Sequence, residues 1–324
     1  MSHVARRVTI VVLALLALTE QGVAQNYPER VVRIVNPYPP GGSVDVMARI
    51  LAQKLGDNLG QQFIVENRSG GGGNTGSDFV AKAEPDGYTL LFTAPGPLTV
   101  NQTLYSKLSF DPAMDFAPIA LFATAPIVLI VNPAVPANDV RELIALAKKE
   151  PGKINFASAG NGTTNHLSGE LFKSMAQIDI VHVPYRGAGP AMNDLVGGHV
   201  QMFFDLMPVV LPQIAGGKVR ALANAGIRRP AALPNVPTVA EQGLAGFDAS
   251  SWYGLVAPAK TPEPVLAKLR DEVAKALKMP DMVARIHELG SEPGTVSGKD
   301  FGAFLAAETR KWADVIRTSG AKAD

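Results

Sequence analysis

The chain predicts an α/β protein of two lobes, and three observations carry that prediction. Short runs of β-branched and apolar residues alternate along the whole length with segments of helical apolar spacing, the pattern of βαβ units and mostly parallel sheets. About 300 residues follow an amino-terminal leader, and chains of that size divide their core between two domains. Proline and glycine cluster at residues 133–136, 230–237 and 258–264, where the chain can cross between lobes. Leaving near residue 125 and returning near 226 gives a discontinuous lobe 1, residues 25–125 plus 226–324, and a lobe 2 of residues 126–225.

Residues 1–24 have the form of a secretory signal peptide. Arg6 and Arg7 precede the apolar run Val8 to Leu18, and Gly22-Val23-Ala24 offers small residues for cleavage near Ala24. The run falls short of the ~20 residues that span a bilayer, so an exported, soluble mature protein is expected. With no cysteine, neither a disulfide nor a lipid-modified thiol can form. Without the leader the chain carries 28 basic and 28 acidic residues, interspersed, which argues against nucleic acid and anionic lipid as partners.

Strands are predicted at residues 31–35, 62–66, 88–93, 126–131, 154–157, 180–183, 200–204 and 219–223. Val44, Met47, Ala48, Leu51 and Leu55 form one helical stripe, and Leu266, Leu269, Val273 and Leu277 another. Thr261-Pro262 predicts an N-cap followed by proline at the first helical position, and Ser297 with Asp300 a capping box opening a last helix from Gly298 to about Arg317.

The loop Pro39-Pro40-Gly41-Gly42-Ser43-Val44-Asp45 opens directly into a helix. The unpaired first amides and the macrodipole can hold an anion there without any basic side chain. The plain alternative is a turn with Ser43 as N-cap. A bulky residue at Gly42 is expected to disturb backbone approach and conformation. Further on, Gly71-Gly72-Gly73-Asn74-Thr75-Gly76 satisfies G-x-G-x-x-G, but the strand 88–93 runs into Ala94-Pro95-Gly96 without the acidic residue a dinucleotide needs. No cofactor is expected.

The loop Ser158-Ala159-Gly160-Asn161-Gly162-Thr163-Thr164 repeats the strand-glycine-helix arrangement in the other lobe, so the two loops can close on one ligand. A third loop, Tyr185-Arg186-Gly187-Ala188-Gly189-Pro190, is placed in the same cleft, with Arg186 either a counter-charge or a solvated residue. His166 reads as a helix-start hydrogen-bonding or packing residue, or as a ligand contact. Asp205, at a strand end, can accept a hydrogen bond from a ligand hydroxyl or amine, or cap a turn. Ser158, His166 and Asp205 make an exported hydrolase the alternative, although no G-x-S-x-G elbow is present. His3, His166, His182, His199 and His287 offer no H-E-x-x-H pair, so no metal is expected.

Six blocks occur in order: YPPGGSVDVMAR, FIVENRSGGGGNTG, NGTTNHLSGELF, VPYRGAGPAMNDLVGGHVQMFFD, NVPTVAEQG and SSWYGLVAPAKTP. Together they resemble the tripartite tricarboxylate transporter substrate-binding receptors, or Bug receptors, across nearly the whole mature chain. The resemblance implies a type II periplasmic binding protein fold. It also implies two lobes that close on a small organic carboxylate in the periplasm and delivery to a two-subunit membrane permease, with no enzymatic activity; separately, a monomer is expected. Family members hold the carboxylate through backbone amides and ordered water at loops corresponding to Pro39–Asp45 and Ser158–Thr164. The expected ligand-binding set is Tyr38, Pro39, Gly41, Gly42, Ser43, Asp45, Ala94, Pro95, Ser158, Ala159, Gly160, Asn161, Gly162, Thr163, Thr164, His166, Gly187, Ala188 and Asp205. The family's ligands range from amino acids to aromatic acids and dicarboxylates, so the family name does not fix a citrate-like substrate.

Overall fold

The structure is a computed structural model that describes residues 27–323. The signal peptide expected at residues 1–24 lies outside the described residues. In chain order, the first segment holds β1 (Val32–Asn36), α1 (Ser43–Leu59), β2 (Phe63–Asn67), α2 (Asn74–Ala81), β3 (Thr89–Thr93), α3 (Asn101–Leu104) and β4 (Phe116–Ala125). The second holds β5 (Ile127–Val131), α4 (Val140–Lys149), β6 (Asn155–Ser158), α5 (Thr164–Ala176), β7 (Val181–Pro184), α6 (Ala188–Gly197), β8 (Met202–Leu206), α7 (Met207–Ala215) and β9 (Arg220–Asn224). The chain closes with β10 (Ser251–Pro258), α8 (Glu263–Ala276), α9 (Pro280–Glu288), β11 (Glu292–Pro293) and α10 (Gly298–Ser319).

Two sheets result, one ordered β11-β4-β10-β3-β1-β2 and the other β7-β6-β8-β5-β9. The chain changes sheet at Pro126, between β4 and β5, and again between Asn224 and Ser251. All eight predicted strands form, within two residues of their expected ends. The sheets are mixed, however, and not mostly parallel: β10 runs antiparallel to β3 and β4, and β5 antiparallel to β8 and β9. Both strands are entered from the other sheet with no intervening helix, so the βαβ rule that keeps neighbours parallel does not act on them.

The strands β4, β10 and β11 were not predicted. Pro118 in β4 and Gly254 in β10 argue against central strands, yet both are accommodated at register shifts, between Leu255 and Val256 and between Tyr253 and Gly254. Two helix starts also differ. Pro262 is the N-cap of α8, so Thr261 sits outside the helix and donates from Oγ1 to Pro258 O at 2.8 Å. Ser297 caps α10 without a side-chain hydrogen bond, so the capping box is not made.

The α1 stripe is buried as its spacing predicts, with Met47, Ala48, Leu51 and Leu55 fully enclosed. A single apolar cluster joins α1, β1, β3 and α8 to β5, β8 and α5, so the core runs continuously beneath both sheets. Smaller clusters cover the outer faces, around Val128, Phe203 and Val210 on one sheet and Leu91, Trp252 and Phe301 on the other. Among the described residues no helix is long and apolar enough to cross a membrane.

Candidate functional site

Parallel strands deliver their carboxyl ends, and the helices that follow, to one edge of each sheet. From the first sheet comes the turn between β1 and α1. Gly41 takes a left-handed conformation there, φ +81°, which glycine adopts without penalty. Gly42, the N-cap of α1, sits at φ −77°, and a Cβ on it would meet only Pro39 O at 3.8 Å. The backbone need for glycine therefore falls on Gly41, not on Gly42 as expected, and Ser43 is the first helical residue, not the cap.

Asp45 stabilises this turn from beneath. Its carboxylate accepts from Gly41 N at 3.0 Å, from Arg49 Nε and Nη2 at 3.0 Å each, and from Asn67 Nδ2 at 2.8 Å. Burial opposes its ionisation, but the hydrogen bonds from Arg49, Gly41 and Asn67 outweigh it and hold the carboxyl below its ordinary range.

From the second sheet come the turns between β6 and α5 and between β7 and α6. Thr163 is the N-cap of α5, accepting from His166 N at 3.5 Å while its hydroxyl donates to Gly160 O at 2.6 Å. Thr164 Oγ1 meets Ser251 Oγ of β10 at 3.2 Å, a contact between the sheets. Asn165 Nδ2 donates to Phe204 O at 2.7 Å and to Asp205 Oδ1 at 2.8 Å, stitching α5 to the end of β8. Gly187, φ +116°, starts α6 close to Pro39.

These turns enclose a cavity of about 80 Å³. Its walls are Tyr38, Pro39, Pro40, Gly42, Ser43 and Val44, then Ala94, then Ala159, Thr163, Thr164 and Asn165, then Gly187, Ala188, Gly189 and Pro190, and finally Asp205 and Leu206. The amino termini of α1, α5 and α6 thus converge on one space, and Leu206 immediately precedes α7. Among the described residues no lysine, arginine or histidine stands in this wall. Three helix dipoles and their unpaired first amides supply its positive potential.

Eleven of the expected residues share the cavity: Tyr38, Pro39, Gly42, Ser43, Ala94, Ala159, Thr163, Thr164, Gly187, Ala188 and Asp205. Gly160 and Asn161 line an outer cleft of about 540 Å³ with Arg186 and the glycine run 70–73. Gly41, Asp45, Pro95, Ser158, Gly162 and His166 line neither space. Beyond the expected set, the wall also holds Pro40, Val44, Asn165, Leu206, and Gly189 and Pro190 of the third loop, which the sequence already places in the cleft. All but Leu206 stand within the loops or helix starts already singled out, and the capping pattern at Thr163 could have drawn in Asn165. A larger space, about 770 Å³, lies where the chain crosses between sheets at Pro126, Asn224 and Ser251, but no helix begins in its walls.

The hydrolase constellation is not assembled. Ser158, fully buried, bonds His182 Nε2 at 2.7 Å instead of His166. His166 Nδ1 faces Gly162 N at 3.4 Å, and Asp205 Oδ1 takes Asn165 and the Leu206 amide, 2.8 Å each. The His166 and His182 rings stack at 4.1 Å, and burial lowers them to about 4 and about 3, with His166 and Lys173 adding to the effect on His182. His166, Glu170 and His182 have ligand atoms within 4.8 Å of one another, the one such group among the described residues. The hydrogen bonds to Gly162 and Ser158 already engage one nitrogen of each ring.

A model of the tripartite tricarboxylate transporter family receptors matches residues 47–321. The chain belongs to this receptor family. This receptor is 39% identical to Protein BugT of Bordetella pertussis over 300 residues, 92% of each chain. It superposes on a Rhodopseudomonas palustris protein solved with adipate at a TM-score of 0.89, with 36% identity over 91% of this chain and 99% of that one. It also superposes on MatC from Rhodopseudomonas palustris with bound malate, TM-score 0.86, 34% identity, over 90% of this chain and 100% of that one. The receptor's two α/β sheets are those of the type II periplasmic binding proteins, as the sequence predicts.

Proposed function

We propose that this receptor is an exported periplasmic monomer that binds one small organic carboxylate between two lobes, residues 25–125 plus 226–324 and residues 126–225. It hands the carboxylate to a permease of two membrane subunits, with no chemical step. The observation that carries this reading is the cavity formed by three helix amino termini with no basic side chain in its wall. Such a wall favours an anion that accepts several N–H groups at once, which a carboxylate does. The amides at Ser43 and Val44, at Thr164 and Asn165, and at Ala188 and Gly189 are the assigned donors, helped by the hydroxyl of Ser43. Because the first pair and the other two belong to different sheets, affinity requires both lobes. The diacids named with two similar structures, adipate and malate, are compatible with this chemistry.

The melting temperature of the mature protein, freed of carried-over ligand, tests the reading against a panel of mono-, di- and tricarboxylates and acidic amino acids. A ligand at 100 times its Kd stabilises by about 2.7 kcal/mol, a rise of several degrees. A selective rise with one carboxylate class is expected. No shift with any carboxylate would contradict the proposal.

A further inference from the structure

We propose that Asp205 is a proton site of this receptor, and that a carboxylate ligand enters the cavity together with one proton, which Asp205 holds on Oδ2 and shares with the ligand. This rests on the carboxylate-receptor reading above. Asp205 stands in the cavity wall and is 1% exposed. Both local donors, Asn165 Nδ2 and the Leu206 amide, go to Oδ1 at 2.8 Å each. Oδ2 is buried with no hydrogen-bond partner among the described residues.

A buried carboxylate oxygen without a donor is costly, and a ligand carboxylate beside it adds a like charge. Among the described residues no neighbouring element supplies a cation to relieve this. On α1, Arg49 is paired with Asp45. On α5, His166 is buried against His182 and Glu170 has its own carboxyl raised by burial. β10 offers Tyr253 and the turn after β1 offers Tyr38, both kept neutral by burial. β5 offers Val128, the register partner of Asp205. Even without ligand, burial pushes the Asp205 carboxyl up to about 7, against the hydrogen bonds from Leu206 and Asn165. A proton from solvent removes the conflict: it bonds to Oδ2, the ligand stays a carboxylate, and an O–H···O⁻ hydrogen bond replaces two facing anions. Opening releases ligand and proton together.

Isothermal titration with adipate and with malate, in two buffers of different ionisation enthalpy between about pH 6 and 9, counts the protons. The native protein is expected to take up about half a proton or more per ligand near neutral pH, with Kd rising up to about tenfold per pH unit above it. In Asp205→Asn, uptake should vanish and Kd should no longer vary with pH. Binding by the native protein without uptake overturns the inference alone, as does uptake that persists in Asp205→Asn. Malate bound without uptake would make Asp205 an ionised acceptor for the ligand hydroxyl, which also overturns it. If neither acid binds, while the native protein melts normally, the carboxylate-receptor reading fails for these diacids and the proton site fails with it.

Discussion

His166 and His182 lie stacked behind the loop that carries Thr163 and Thr164, and burial holds both rings neutral. A base whose folded pKa lies below its unfolded value contributes stability above that unfolded value, about 6.5, and loses it as the pH falls toward the folded one. For His166, lowered to about 4, the loss amounts to about 3 kcal/mol across that window. Urea unfolding at pH 7 and pH 4.5 checks this: His166→Gln should lose markedly less stability than the native protein on acidification. An equal loss would place the acid sensitivity elsewhere. The pairing of His182 with Ser158 was not legible in the sequence, because it joins strand ends 24 residues apart. The partners of Asp45 hid for the same reason, Asn67 being 22 residues away. Glycine and threonine at a helix start carry their meaning locally, which is why the cavity-lining turns could be read and the groups supporting them could not.

Among the elements, the turn after β6 meets the segment after β3. Tyr105 Oη donates to Asn161 O at 3.2 Å. Gly162 makes this approach possible: at φ +80° it is left-handed, and a Cβ there would collide with Asn101 Oδ1 and meet Leu104 Cδ2 at 3.2 Å. Gly162→Val is therefore expected to hold the turn away from the first sheet and to raise Kd at least tenfold, with the far-ultraviolet circular dichroism of a folded chain. Unchanged affinity in a folded variant would remove this contact from the account. The same scale shows where periodicity is blind. β5 and β8 were legible as apolar runs, whereas β4 and β10 carry Pro118 and Gly254 at shifts in their own pairing register. Such shifts arise from the partner strand, so no local pattern announces them.

At the scale of the whole molecule, the α/β class follows from alternation along the chain, whereas the first change of sheet, at Pro126, falls outside the proline and glycine clusters. Sheet direction does not follow from alternation, because β5 and β10 owe their orientation to crossing from one sheet to the other. The candidate site lies between strand ends of the two sheets, away from those crossings, and its defining property belongs to no single residue: helix amino termini from both sheets surround one small space. Composition gave no hint of that positive potential, since basic and acidic residues nearly balance over the whole chain.

If backbone amides from both sheets hold the ligand carboxylate, amide proton shifts of the isotopically labelled protein during titration with a dicarboxylate that binds will report it. Charge-assisted hydrogen bonds should move the amides of Ser43, Val44, Thr164, Asn165, Ala188 and Gly189 downfield together, at one common saturation point. Shifts confined to one sheet, or centred on Arg186 in the outer cleft with these six amides unmoved, would contradict it.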